Sequence, residues 1–109
     1  MAENWWLYLL ECRGGSIYVG IAKDVEKRYD RHRRGAGAKY TQIHPPLRIL
    51  AQQPYPSYGA ARRAELLVKR LKPELKKEWA NFIAAQGYSY MEVRLASLND
   101  RLMLLDDLS

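Results

Sequence analysis

The sequence predicts an α+β domain, a small antiparallel sheet with helices packed against it, and three observations carry that reading. Two short apolar runs, Trp5-Trp6-Leu7-Tyr8-Leu9-Leu10 and Ser16-Ile17-Tyr18-Val19-Gly20-Ile21, flank Arg13-Gly14-Gly15 and signal a β-hairpin. A third extended run begins at Leu47-Arg48-Ile49-Leu50. Between and after the strands, apolar residues recur at helical spacing, so the order is β-β-α-β-α-α. With 109 residues, 48% of them hydrophobic, the chain suits one core and hardly two.

Taken in order, the hairpin is followed by Asp24, which can cap a helix with Glu26 in its first turn. That helix runs through Arg34 until Gly35-Ala36-Gly37 stops it, and Gly35 to Pro46 reads as a loop. The third strand should end by Pro54-Tyr55-Pro56, because proline does not fit a central ladder. From Tyr58 to Leu71 the apolar positions Ala61, Ala64, Val68 and Leu71 predict a second helix. Pro73 starts a third, where its missing N–H costs least. Leu75, Trp79, Phe82 and Ile83 form its apolar face, and Gly87 ends it. Farther on, Met91-Glu92-Val93-Arg94-Leu95 alternates like a strand and Leu98 to Leu105 suits a short helix. The domain is expected over residues 1–87, with 88–109 as a C-terminal extension packing on or near it.

Charge points to a polyanionic partner. Eighteen Lys and Arg against twelve Asp and Glu give a formal charge of +6. Residues 1–85 carry net +8 and residues 86–109 net −2, so the basic surface belongs to the first part. Cys12 is the single cysteine, with no Cys or His nearby for a zinc site, and reads as a reduced structural thiol. Trp5 to Leu10, the longest apolar stretch, is far short of the roughly 20 residues that cross a bilayer. With no signal-peptide pattern the chain is expected in the cytoplasm, without a membrane partner.

The densest chemical signal lies between Tyr18 and Arg34. Residues 23–34 include six cations, Lys23, Lys27, Arg28, Arg31, Arg33 and Arg34. On a helix, Arg28 and His32 share one face. Arg can hold a phosphate bidentately and neutralise charge built up in a pentacovalent transition state, and His can bond the phosphate or shuttle a proton. The same pattern describes a solvated basic helix face. A hairpin turning at Gly14-Gly15 brings Tyr8 and Tyr18 onto one face, where two phenols are either packing or a pocket. A tyrosine activates water only if its pKa is brought down from about 10, as a guanidinium or metal ion can do. Glu65 is the only carboxylate between Pro56 and Pro73. It reads either as an i,i+4 partner of Lys69 or as a single ligand for Mg²⁺, an ion that keeps several waters. Gly35-Ala36-Gly37 lacks the spacing of a nucleotide-binding loop, so no nucleotide cofactor is expected. Lys39, Tyr40 and Thr41 beside it are phosphate-contact candidates, and His44 reads as a surface loop residue.

Here the residues resemble a family. Tyr18-Val19-Gly20 resembles the second half of the GIY-YIG signature, and Trp6-Leu7-Tyr8 stands where the first half belongs. The stretch through Arg28 and His32 is similar to the same region of phage homing endonucleases. Gly37-Ala38-Lys39-Tyr40-Thr41 resembles the small stand-alone bacterial branch. The resemblance spans residues 4–80. It implies a central three-stranded antiparallel sheet flanked by helices, and one divalent ion, Mg²⁺ or Mn²⁺, held by Glu65. It further implies Arg28 on the scissile phosphate, Tyr18 helping to activate water, and Tyr8 and His32 in support. Trp6-Leu7 replaces the Gly-Ile of the first half, Lys39 or Tyr40 stands for a loop histidine, and Lys72 or Asn81 for a polar residue of the third helix.

Together these readings make a metal-dependent endonuclease that hydrolyses DNA, selective for single-stranded or branched forms, in repair or recombination. Lys23, Lys27, Arg31, Arg33, Arg34, Lys39, Tyr40, Thr41, Lys69 and Lys72 are its expected DNA contacts. Exposed Tyr29 or Tyr40 would stack on unpaired bases. The alternative is a binding module with the same fold and no catalysis. Asp106-Asp107 could compete with DNA for the basic face.

Overall fold

The structure is a computed structural model describing residues 4–86. The chain forms β1 (Trp5–Cys12), β2 (Ile17–Ala22), α1 (Val25–Arg33), α2 (Lys39–Ile43), β3 (Pro46–Tyr55), α3 (Tyr58–Lys69) and α4 (Pro73–Gln86). Its three strands make one antiparallel sheet in the order β2-β1-β3. This is the α+β architecture the apolar runs predict. The expectations for 88–109, including a strand at 91–95, a helix at 98–105 and any role of Asp106-Asp107, lie outside the described residues.

Alternation of side chains along the strands gives the sheet two different faces. Leu7, Leu9, Ile17, Val19 and Ala51 point to one, where Ala61, Ala64 and Val68 of α3 and Trp79, Ala80 and Ile83 of α4 cover them. Tyr8, Leu10, Cys12 and Ala22 point to the other, under Val25 of α1. Leu7, Leu9 and Leu10 of the central strand are 0% exposed, each worth about 1.5–3 kcal/mol of apolar burial. Cys12 is a free, buried thiol beneath this second face, as its isolation in the sequence suggests.

Local chemistry fixes the element ends. Gly14 and Gly15 have φ of +89° and +87°, the left-handed conformation the hairpin turn requires. The Asp24 carboxylate accepts from the Lys27 N–H at 3.1 Å and caps α1. At its other end Gly35 takes φ +75°, its N–H donating to the His32 carbonyl and that of Ala36 to the Arg31 carbonyl. That paired pattern is a Schellman motif, and it turns the chain back over α1. Ser57 caps α3 by accepting from the Ala60 N–H at 3.1 Å.

One expectation is corrected. The segment read as a loop between Gly35 and Pro46 contains α2, too short for a periodic apolar signal to reveal. β3 ends at Tyr55, within the Pro54-Tyr55-Pro56 stretch expected to stop it, and Pro54 is accommodated because β3 is an edge strand with no ladder on its outer side to interrupt. Its register against β1 shifts twice, leaving Leu50 and Leu47 as the extra residues.

Candidate active site

Tyr8 of β1 lies directly across from Gly20 of β2, so its ring crosses a position without a side chain. A Cβ at Gly20 would sit 2.5 Å from the Tyr8 hydroxyl oxygen and 3.0 Å from the Tyr18 ring. The glycine is therefore a requirement of the packed phenols, not of backbone strain. Tyr8 is 1% exposed, while Tyr18 next to it remains half-buried, their ring centroids 6.2 Å apart.

His32, one turn after Arg28, is 1% exposed and belongs to the same cluster, its ring 5.0 Å from that of Tyr18. Its Nε2 lies 3.0 Å from the Tyr8 hydroxyl and its Nδ1 lies 2.7 Å from Thr41 Oγ1. The Thr41 hydroxyl donates to the Ala38 carbonyl at 2.8 Å. With its single proton so committed, Thr41 can only accept from His32. Proton counting then assigns the tautomer: Nδ1 carries the hydrogen, and Nε2 accepts from the Tyr8 hydroxyl. The chain Tyr8→His32→Thr41→Ala38 runs in one direction. Gly37, where the backbone returns after the Schellman turn, closes over the imidazole so tightly that a Cβ there would overlap His32.

Thr41, expected as a phosphate contact, is 1% exposed, and its hydroxyl accepts from His32. Both ring nitrogens of His32 are thus engaged and buried. The sequence singles out Thr41 as a hydroxyl beside Gly37 but not as the partner of His32; its place in a one-turn helix packed on α1 is what delivers it there.

Arg28 is exposed and its charge acts on all three rings. Burial pushes the Tyr8 hydroxyl far above the ordinary phenol value, the neighbouring Tyr18 adds to this, and Arg28 opposes it. Tyr18 is also raised, first by burial and then by the Glu65 carboxylate, again against Arg28. His32 is lowered by burial and by the charges of Arg28 and Arg31, which keeps it neutral. Glu65, 6% exposed, comes from α3 on the other side of the sheet, yet its charge reaches both phenols. Its carboxylate accepts from the Arg62 guanidinium and has the Lys69 ammonium at 3.3 Å. The sequence foresees the Lys69 pair but not Arg62.

Among the described residues no group of three or more His, Cys, Asp or Glu gathers around one point. A metal centre built wholly from protein ligands is therefore absent from them. A lone, buried carboxylate with hard oxygens does fit Mg²⁺ or Mn²⁺, which take one protein ligand, waters and substrate oxygens. The two cations on Glu65 are about half exposed.

The remaining expected contacts divide. Lys27, Arg31, Lys39 and Lys72 are exposed. Lys23 lies over the Trp5 ring at 5.5 Å, Arg33 over the Tyr29 ring at 5.9 Å, and Arg34 pairs with Asp30 at 2.8 Å. Tyr29 is half-buried against the α1 face, so of the two stacking candidates Tyr40 is the exposed one. Tyr40 lies parallel to Tyr18 at 6.0 Å, and the His44 ring follows at 4.7 Å, half-buried as the C-cap of α2. Asn81 lines a separate cleft with Glu11, Arg48 and Lys77 and is no member of this site.

A basic α+β domain that gathers two phenols, a guanidinium and one lone carboxylate around a sheet edge belongs to the class of proteins that handle phosphodiesters. The GIY-YIG catalytic domain matches residues 4–78, and the chain belongs to that family. It is a nuclease domain, and DNA is the substrate it implies. A UPF0213 protein of Xanthomonas campestris is 48% identical over 84% of this chain and 87% of its own. Another from Cupriavidus pinatubonensis is 53% identical over 68% of this chain and 82% of its own. The solution structure of a UPF0213 protein from Bacillus halodurans is 37% identical, covering 83% of this chain and 93% of that one, with a TM-score of 0.46. Among the described residues no helix is long and apolar enough to cross a membrane.

Proposed function

We propose that the chain is a divalent-metal-dependent endonuclease that hydrolyses DNA phosphodiester bonds, selective for single-stranded or branched DNA, in repair or recombination. The observation that carries this reading is the packed cluster of Tyr8, Tyr18 and His32, one turn from Arg28, in a chain of the GIY-YIG family; the charges of Arg28 and Glu65 act on both phenols in opposite directions.

Arg28 binds the non-bridging oxygens of the scissile phosphate and neutralises charge that grows on them in the transition state. Tyr18, the phenol still partly exposed, orients the attacking water; it would take that water's proton only as the phenolate, a form that burial and Glu65 disfavour and that Arg28 and a bound cation would favour. Tyr8 is spent on His32 and holds Tyr18 in place. Glu65 would hold the metal ion, which when bound supplies Lewis-acid polarisation of the phosphate and charge for the leaving oxygen. Compensation of the Glu65 charge also removes one of the causes that raise Tyr18, in the direction Arg28 already favours.

The test is cleavage of single-stranded, branched and duplex DNA by the purified chain with Mg²⁺ or Mn²⁺. Glu65→Ala and Arg28→Ala should each lower the rate by at least about a hundredfold. No cleavage of any form, or variants that cut as well as wild type, would sink the reading. Salt-sensitive binding without cleavage would instead mark a non-catalytic binding module.

A further inference from the structure

Beside the tyrosine–histidine cluster the sheet edge opens into a cleft of about 300 Å³ lined by Ile17, Tyr18, Val19, Tyr40, Lys69 and Lys76. Its floor is the outer edge of β2, the strand with β1 on one side and no strand on the other. Bonded and non-bonded pairs alternate along an antiparallel ladder, and the bond from the Cys12 N–H to the Ser16 carbonyl sets the phase. Tyr18 therefore turns its backbone groups toward Leu10, while Ile17 and Val19 turn theirs outward, into the cleft.

The walls differ in chemistry. On one side Tyr40, 38% exposed, has the Tyr18 ring 6.0 Å away at 26° and the His44 ring 4.7 Å away, and its exposed part faces solvent beside the cleft. On the other, Lys69 of α3 and Lys76 of α4 line the same space. The like charge of Lys69, after burial, holds the Lys76 ammonium below its usual range. An anion placed between the two relieves that repulsion. Lys69 also touches Glu65, so the cleft begins where the candidate metal ligand ends.

We propose that this cleft is the subsite for the nucleotide next to the scissile phosphate. Its base packs against the exposed part of the Tyr40 ring, and its phosphate lies between Lys69 and Lys76 over the Ile17 and Val19 N–H groups. The inference rests on the DNA-nuclease reading and adds a reason for preferring unpaired strands. A base inside a duplex is covered on both faces by its neighbours and cannot cover Tyr40. A free strand edge also suits an extended peptide, but two lysines beside a partly exposed phenol ring select a polyanion with flat bases.

The experiment is fluorescence anisotropy with the full chain in EDTA, so that cleavage plays no part. The probes are a labelled single strand of about twelve nucleotides, its duplex, and RNA of the same sequence. Lys76→Ala should weaken binding of the DNA strand roughly fivefold and lower the salt slope by about 0.7. Tyr40→Ala should weaken it roughly tenfold, Tyr40→Trp should restore it, and duplex binding should be weaker and indifferent to Tyr40. Circular dichroism of each variant separates a lost contact from a lost fold, and Lys76→Arg should bind as wild type. Folded Lys76→Ala and Tyr40→Ala that bind the strand with wild-type affinity and slope would overturn the subsite. So would tighter binding of the RNA than of the DNA. Absence of cleavage with Mg²⁺ or Mn²⁺ while these binding losses persist defeats the nuclease reading and leaves the subsite standing.

Discussion

The Tyr8 hydroxyl donates to His32 Nε2 across 3.0 Å, and the direction of that bond is set by Thr41 on the far side of the ring. A residue in a five-residue helix thereby decides which way a phenol in the central strand points.

Thr41→Val removes the acceptor for His32 Nδ1 and leaves a buried donor unpaired, a change that costs about 1–3 kcal/mol. Thermal unfolding should show that loss, and nitrogen NMR of the imidazole should show a changed tautomer balance. Cleavage should drop in kcat more than it rises in KM, because the residue acts through His32 and Tyr8. Thr41→Ser, which keeps the hydroxyl, should recover both.

Gly20→Ala and Gly37→Ala place a methyl group where Tyr8 and His32 already stand. Each should destabilise the fold by about 1–3 kcal/mol through overpacking. Each should also reduce cleavage by displacing the cluster. Gly14→Ala meets no neighbouring atom and strains only a turn at φ +89°, so it should lose stability with little loss of activity. Equal activity losses in all three would contradict the assignment.

Charge at the two phenols can be read without any substrate. The Glu65 carboxylate raises Tyr18, so in Glu65→Gln the phenol should ionise at lower pH than in wild type. Arg28→Gln should move both phenols in the opposite direction, because Arg28 lowers them. Ultraviolet difference titration, with Tyr18→Phe to assign the signal, measures both shifts. Unmoved titrations would place the two charges away from the site.

His32 gives the fold an acid-sensitive window. Its folded-state pKa lies below the ordinary 6.5, so the unfolded chain binds the proton first as pH falls. The contribution to stability is full above 6.5 and declines below it, until the folded-state value is passed. The melting temperature of wild type should therefore fall as pH drops below 6.5, and His32→Gln should lose that part of the dependence. A pH profile identical in the two proteins would remove His32 as its cause.

The apolar runs around Gly14-Gly15, the Asp24 cap and the spacing from Ala61 to Val68 make most of the fold legible, because they are local signals. Arg28, Tyr8, Tyr18 and Glu65 are legible in the sequence as candidates, through the resemblance of the segments that hold them. The tie of Thr41 to His32 and the place of Lys76 are not. Thr41 sits in a helix too short to impose periodicity, and Lys76 is one lysine among several on α3 and α4.

By itself the sequence determined the three strands, the three longer helices, their order and the basic character, since each depends on neighbours within a few positions. Tertiary structure alone decided that Glu65 acts on Tyr18 from the opposite side of the sheet, that His32 is enclosed between Tyr8 and Thr41, and that Lys69 and Lys76 share one cleft. Those relations depend on register, helix packing and the turn after α1, which bring together side chains whose separation along the chain encodes nothing about their distance in space.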